Sequence, residues 1–348
     1  MTTIYLIRHA EAEGNVFRRL QGQYNSNITP NGLRQVAALA ERFRDIPIDA
    51  VYASDLNRTR ITAASVFVPK HLPLHTDPRF REIRCGIWED TSFGQFDRLD
   101  HQSSYDFSHH PHRWHAEGSE CFAEYTGRFL RALAEVVREN EGKTVAIFSH
   151  GMVLRGVTQT LFFPNNETAV THCENTAVTR LFWDGEAYQL DFLNDASHLP
   201  YEITTVGRQN WWRSDETKDF NLWYRTAEPA DAAFLATLGF VPQAGQRVEI
   251  GMLGEVAIGA VAMSHFQSEA TLNFIGVTEA ERGKGFAPQL LGEVICPLRT
   301  LGVARLTAAP TAHPGALRLL ERFGFDPATR SLDIAIDTEK CISSLTFS

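Results

Sequence analysis

Along the first 195 residues, short apolar runs alternate with stretches of helical spacing. Ile4-Tyr5-Leu6-Ile7 reads as a strand that runs into Arg8-His9. Thr29-Pro30-Asn31-Gly32 opens a helix, with Thr29 as N-cap and Pro30 in its first turn. Leu33, Val36, Ala37, Ala40 and Phe43 then fall on one helical face. Residues 49–54 predict a second strand, and 60–68 a helix stopped by Pro69. A third helix over roughly 121–140 leads across Glu141-Gly142-Lys143 into a strand over 144–149. Residues 177–183 and 188–192 predict an edge hairpin around Asp184-Gly185. Apolar strands alternating with helices predict a three-layer α/β/α unit with a mainly parallel sheet covered on both faces.

Residues 90–118 break this rhythm. They are polar and aromatic, and carry His101, His109, His110, His112 and His115, which predicts an inserted cap over a site. After Leu199 the pattern lapses again. Residues 200–222, with Trp211-Trp212 and a charged run over 214–219, predict a linker that packs in part through its tryptophans. From 223 a second α/β unit begins. It predicts a helix near 229–238 and strands near 247–253, 255–263 and 270–277. A helix near 285–301, a strand over 303–308 and a helix near 314–323 follow. The expected division is therefore 1–199, 200–222 and 223–348.

At 348 residues the chain has length for two domains with separate cores. Its net charge of −9 argues against nucleic acid as a partner, and any anionic ligand must be drawn in by local arginines. The five cysteines, 85, 121, 173, 296 and 341, show no CxxC spacing. They read as reduced thiols of a cytoplasmic protein, with neither a disulfide framework nor a zinc site. No apolar run is long enough for a membrane span, so no membrane partner is expected.

Two strands that each deliver a histidine place both imidazoles at the carboxyl edge of the sheet, where open α/β sheets bind ligands. Arg58 and Glu82 lie between them in the chain. Phosphoryl transfer is mostly positioning and charge stabilisation. Arg8 and Arg58 offer planar forks for phosphoryl oxygens. A neutral His9 can attack phosphorus, and a protonated His150 can stabilise the same oxygens. Glu82 can protonate the departing alcohol, and Asn15 adds a neutral donor. Taken singly these residues have plainer readings: Arg58 paired with Asp55, Glu82 as a solvated loop acid, His150 as a structural histidine. Only the ordered combination points to metal-free phosphoryl transfer.

That combination resembles the histidine phosphatase, or phosphoglycerate mutase-like, superfamily over residues 1 to about 199. The resemblance rests on Arg8-His9 with Glu11 and Asn15, on Gln21-Gly22-Gln23, and on Thr29-Pro30-Asn31-Gly32. It continues in Ser54-Asp55-Leu56-Asn57-Arg58, Glu82 with Gly86-Ile87-Trp88-Glu89, Ser149-His150-Gly151, and the run Asn194 to Leu199. It implies that His9 is phosphorylated, that Arg8, Arg58 and His150 bind the phosphoryl group, and that Glu82 is the proton donor. Asn15, Gln21, Gly22 and Gln23 are then the expected substrate-binding residues, with no metal or other cofactor. Ala10, Ala12 and Asn25 or Asn27 depart from the family pattern. Family mutases carry a long basic lid after the glutamate. Residues 90–118 hold few basic residues, which favours hydrolysis of a small phosphate ester over mutase action. The histidine cluster reads as a polar cap touching the substrate, with a metal site and a plain solvated loop as the alternatives.

In the second unit the strand 271–277 leads to Arg282-Gly283-Lys284-Gly285-Phe286-Ala287 and then a helix. Small residues ahead of a helix let backbone N–H groups approach a pyrophosphate. Residues 222–348 resemble the GNAT acyltransferase family, with Ala316 to Phe325 matching its closing helix. The resemblance implies acetyl-coenzyme A, or another acyl-coenzyme A, bound by Val277, Arg282, Gly283, Lys284, Gly285 and Ala287. His313 and Leu320 stand where the family often has Asn and the Tyr that protonates the leaving thiolate. That substitution leaves open a unit that senses acyl-coenzyme A without transferring the acyl group.

Overall fold

The computed structural model describes residues 1–166, 169–209 and 220–347. The expected packing of Trp211 and Trp212 lies outside the described residues. The N-terminal unit is built on six strands, β1 (Thr2–Arg8), β2 (Ala50–Ala53), β3 (Leu74–Thr76), β4 (Thr144–Ser149), β5 (Val178–Trp183) and β6 (Tyr188–Asp195). Their spatial order is β3-β2-β4-β1-β5-β6. The first four are parallel to one another, and the β5–β6 hairpin runs antiparallel beside β1. Ile4 and Leu6 enter one core with Phe80, Phe129 and Ile147, whereas Tyr5 and Ile7 enter the other with Leu39, Phe43 and Phe148. Alternate side chains of β1 thus bury on opposite faces, which explains its continuous apolar run.

The helices are α1 (Glu13–Phe17), α2 (Pro30–Phe43), α3 (Asn57–Phe67), α4 (Phe93–Leu99), α5 (His101–His109), α6 (Phe122–Glu139) and α7 (Gly151–Phe162). Thr29 caps α2 by accepting from the Gly32 N–H, as its sequence predicts. α3 begins at Asn57 instead of residue 60, so Arg58 sits in its first turn. The inserted segment 90–118 folds as α4 and α5. Ser92 caps α4 at Gln95 N (3.2 Å), and Asp100 caps α5 at Ser103 N (3.0 Å).

The C-terminal unit has a second six-stranded sheet, of β7 (Trp223–Thr226), β8 (Arg247–Leu253), β9 (Val256–Phe266), β10 (Glu269–Val277), β11 (Arg305–Ala308) and β12 (Ser331–Asp333). They lie in the order β12-β11-β10-β9-β8-β7, and only β10 and β11 are parallel neighbours. β10 pairs with β11 only as far as Leu272, so its last residues stand apart from that neighbour. Helices α8 (Ala232–Thr237), α9 (Phe286–Thr300), α10 (Pro314–Arg322) and α11 (Thr338–Ser343) complete the unit. The predicted helix at 229–238 resolves into a 3-10 turn, Pro229–Asp231, and the short α8.

The two cores are not separate. Val16 and Phe17 of α1 are buried in the C-terminal core beside Leu290, Leu291 and Phe323. The Phe17 and Phe323 rings stack at 5.5 Å. A Cβ added to Gly292 of α9 would stand 2.6 Å from Phe17, so glycine there makes room for the ring. Ion pairs Arg19–Glu293 (2.8 Å) and Arg299–Glu13 (2.9 Å) flank this contact.

Candidate active site

β1 and β4 are adjacent and in register, with Arg8 opposite Ser149, so the residues that follow them emerge together. His9 N–H donates to Ser149 O at 2.9 Å, and the His9 and His150 rings stand 5.3 Å apart. Both side chains are buried, at 3% and 0% exposure. His9 Nδ1 lies 2.7 Å from Ala10 O. A carbonyl only accepts, so Nδ1 carries the proton and Nε2 keeps its lone pair. Burial, then the charges of Arg58 and Arg8, push the His9 pKa well below the usual histidine value.

His150 is neutral too, but as the other tautomer. Arg58 Nε donates to His150 Nδ1 at 3.1 Å, which leaves the proton on Nε2. Burial, then Arg58 and His9, hold the His150 pKa well below the usual value. The sequence suggested a protonated His150; the structure has a neutral imidazole whose buried Nε2 has no partner among the described residues.

Arg58 is 1% exposed. Besides His150 it binds Tyr24 O (2.9 Å) through Nη1 and Gly22 O (2.7 Å) through Nη2. Burial pushes its pKa down to about 10, against the opposing pull of Glu82 and Glu89. Asp55 pairs with Arg81 (Nε, 2.6 Å), so the plainer Arg58–Asp55 pairing does not form. Arg8 donates from Nη1 to Cys173 O at 2.5 Å, and its buried Nε has no partner among the described residues. Gly151 leaves room for it, since a Cβ there would lie 3.1 Å from Arg8 Nε.

Glu82 reaches the first turn of α7, just after His150. Its carboxyl oxygens accept from Met152 N–H (3.1 Å) and Val153 N–H (2.9 Å). The anticipated binding loop is close by, with differing parts. Gly22 (φ +48°) presents its carbonyl to Arg58, and Gln23 Nε2 donates to Glu82 O at 3.2 Å. Gln21 turns into the loop, where its Oε1 accepts from Ser26 Oγ at 2.7 Å. Asn15 Oδ1 accepts from Ala12 N–H (2.9 Å) and from Asn175 Nδ2 (3.3 Å), so its carbonyl end is occupied within the site.

The cap histidines do not converge. His101 pairs with Asp97 (3.0 Å), and His109 Nδ1 bonds Tyr105 O (3.0 Å). Among the described residues no group of three or more His, Cys, Asp or Glu is arranged to hold a metal ion.

In the C-terminal unit, Gly283 (φ +80°) and Gly285 (φ +93°) adopt the left-handed conformation that favours glycine, and Gly285 caps α9. A Cβ at either position would meet nothing within 4 Å, so the loop is open to a ligand. With the first-turn N–H groups of α9 behind it, this cradle fits a pyrophosphate. Lys284 pairs with Glu281 (2.9 Å), and Arg282 Nε donates to Val277 O (3.3 Å). Val277 is buried at the end of β10, and Ala287 lies in the first turn of α9. Leu320 is buried in the core, and His313 Nδ1 caps α10 at Gly315 N (3.2 Å).

A family model for the histidine phosphatase superfamily (branch 1) matches residues 4–196, more than half of the chain. The chain belongs to the histidine phosphatase superfamily. A model of the acetyltransferase (GNAT) family matches residues 190–325. A probable phosphoglycerate mutase, GpmB, from Erwinia tasmaniensis is 29% identical over 205 residues, covering 57% of this chain and 95% of that protein. The solved structure of YhfR from Bacillus stearothermophilus is similar at 30% identity and a TM-score of 0.55, over 57% of this chain and 99% of that one. A phosphoserine phosphatase variant from Entamoeba histolytica, solved with phosphoserine, matches at 25% identity and a TM-score of 0.51, over 57% and 100%.

Three residues of this histidine phosphatase that sequence reasoning passed over surround the site. Arg128, on α6, binds Arg79 O (2.8 Å), Arg81 O (2.7 Å) and Glu82 O (2.7 Å), and pairs with Glu120 (2.7 Å). Asn175 Nδ2 donates to His9 O at 2.9 Å. His172 is pushed down to about 3 by burial, then by Arg155, Arg8 and Arg18. Nothing in their spacing marks them, because each comes from a segment remote in sequence.

Proposed function

We propose that the protein hydrolyses a small phosphomonoester through a phosphohistidine on His9. The observation that carries this reading is buried His9 with its Nδ1 proton held by Ala10 O, which leaves the Nε2 lone pair free, and the His150 ring 5.3 Å away, bonded at Nδ1 by the Arg58 guanidinium. Arg8, Arg58 and His150 receive the phosphoryl oxygens. His9 Nε2 attacks phosphorus as the ester P–O bond breaks, and Glu82 gives its proton to the departing alkoxide. The Ala10 carbonyl, facing Nδ1–H, stabilises the positive charge that develops on the ring. Glu82 then takes a proton from water, which attacks the phosphohistidine and releases inorganic phosphate. Gln21, Gly22, Gln23 and Asn15 are the substrate-side residues of this reading, Gly22 by holding Arg58 and Gln21 by bracing the loop through Ser26. No step calls for a metal, since Arg8, Arg58 and His150 neutralise the charge.

Hydrolysis is favoured over mutase action by the cap. Arg98 and Arg113 are the only arginine or lysine residues in 90–118. Arg98 stacks on Trp223 at 3.6 Å and pairs with Glu255, so it serves the C-terminal unit. The test is a screen of phosphorylated metabolites read by free phosphate, with His9→Ala as control. The wild type should release phosphate and trap label as an acid-labile, base-stable adduct. Turnover by His9→Ala, or transfer of the phosphoryl group without release, rejects the hydrolase.

The division we propose is 1–199, 200–222 and 223–348. In the last part, Val277, Arg282, Gly283, Lys284, Gly285 and Ala287 form an acyl-coenzyme A site, supported by the open glycine cradle at the start of α9. Leu320 supplies no acid for thiolate release, so binding without rapid transfer is expected. A regulatory reading is favoured by α9 itself, which begins at the cradle and packs Gly292 on Phe17 of α1. Calorimetry with acetyl-coenzyme A, and the phosphatase rate in its presence, test both points. Five free cysteines, three of them buried, support a cytoplasmic site of action.

A further inference from the structure

Loop 21–28 supplies the two carbonyls that hold Arg58, and residues beyond the N-terminal sheet hold that loop. Two routes of hydrogen bonds reach it from the C-terminal unit. In the first, Thr338 Oγ1 at the start of α11 donates to Asn57 Oδ1 at 2.6 Å. Asn57, next to Arg58 in the first turn of α3, donates from Nδ2 to Ser26 O (2.9 Å) and from its N–H to Asn25 Oδ1 (3.0 Å). In the second, Arg299 on α9 binds Ile334 O (2.7 Å) through Nε and the Glu13 carboxylate (2.9 Å) through Nη2. Glu13 accepts from the Asn27 N–H (2.9 Å), and Asn27 Nδ2 donates to Ala335 O (3.1 Å). The Arg299 and Glu13 side chains are each only 9% exposed, so water is a poor substitute for either partner.

We propose that the C-terminal unit completes the phosphate site of the N-terminal unit, with Thr338 and Arg299 as positioning residues that hold loop 21–28 and, through it, Arg58. The loop has no ladder or helix of its own over most of its length, so ordering it depends on bonds from outside. Asn57 is buried at 2% exposure. Without the Thr338 hydroxyl its Oδ1 loses that donor, and the amide is free to turn away from Ser26. Arg58 then loses the fixed Gly22 and Tyr24 carbonyls that aim its fork. The proposal rests on the reading of Arg58 as a phosphate ligand.

The test uses full-length Thr338→Val, Thr338→Ser and Arg299→Lys, with inorganic phosphate as probe. Thr338→Val should bind phosphate about five-fold more weakly, the effect of one lost hydrogen bond. It should also speed hydrogen exchange in peptides covering 21–28 while leaving β8, β9 and β10 protected. Thr338→Ser keeps the donor and should restore both. Arg299→Lys should act in the same direction as the valine variant. Wild-type exchange over 21–28 in Thr338→Val, or equal loosening of the whole C-terminal unit, overturns the clamp and leaves a simple interface. Absence of phosphate binding in the wild type would overturn the reading of Arg58 instead, and the exchange pattern still decides the clamp.

Discussion

The Nε of Arg58 donates to Nδ1 of His150 at 3.1 Å, and both groups are almost wholly buried. A proton on that nitrogen would point at a guanidinium, so His150 is held as the neutral Nε2–H tautomer. His9 is neutral as well, because burial and then the charges of Arg58 and Arg8 hold its pKa down, while its bond to Ala10 sets the tautomer. The pocket therefore meets an anion with two permanent cations and two neutral rings. One ring offers a lone pair and the other a donor.

This arrangement has a consequence for stability against pH. His9 and His150 both have folded pKa values well below the unfolded value of about 6.5. His172, pushed down to about 3, and His198, pushed down to about 4, follow the same direction. A depressed histidine contributes stability that is fully present above the unfolded pKa. It is lost as pH falls toward the folded one, because the unfolded chain takes up the proton first. The melting temperature should therefore drop as pH is lowered from 7 to 4. The slope should be smaller in His150→Gln. A flat profile over that range would contradict the neutral, buried assignment.

Glu82→Gln should separate leaving groups. Alkyl phosphates, which need a proton on the departing oxygen, should slow by about 10²–10⁴-fold. Aryl phosphates, whose phenolate leaves unaided, should be nearly unaffected. The glutamine oxygen can still accept from the first turn of α7, so a change in fold does not explain the difference. Equal slowing of both substrate types, in parallel kcat measurements, would reduce Glu82 to a binding role.

Arg128→Lys should mimic part of that effect from a distance. A single ammonium cannot span the carbonyls of Arg79, Arg81 and Glu82 together with Glu120. The alkyl-to-aryl rate ratio should fall by about ten-fold, corresponding to the loss of one well-made charged hydrogen bond. An unchanged ratio with only a lower melting temperature would mean that Arg128 braces the fold and not the acid.

Phe17→Ala should destabilise the C-terminal unit although the residue belongs to α1. Emptying a buried phenylalanine site costs about 3–5 kcal/mol, and this one lies among Leu290, Leu291 and Phe323. Hydrogen exchange should quicken in α9 and α10 as well as in α1. Loss of protection restricted to α1 would show that the shared core contributes little.

The sequence reveals the central sheet because β1 and β4 are buried on both faces and are each followed at once by a histidine, which leaves an apolar run and a chemical mark together. The Thr29 cap and the 144–149 strand are legible for the same local reason. α1 is not: so short a helix carries no usable period, and Val16 and Phe17 gain their role from α9 and α10, at the far end of the chain. The start of α3 is hidden because its first turn is polar, with Arg58 buried for its partners and not for its hydrophobicity. The protonation of His150 depends on which nitrogen Arg58 meets, a fact of side-chain geometry with no trace in residue order. Arg128 reads as an ordinary polar position on an amphipathic helix until its three carbonyl partners are seen.

Gly292 bears on how the two halves of this chain can change over generations. Any side chain at that position collides with Phe17, the last residue of the short helix that follows the His9 segment. A mutation in the acetyltransferase-like half is thus screened by its effect on the phosphatase half. Exchanging either half for a relative would bring together surfaces with no shared history of selection.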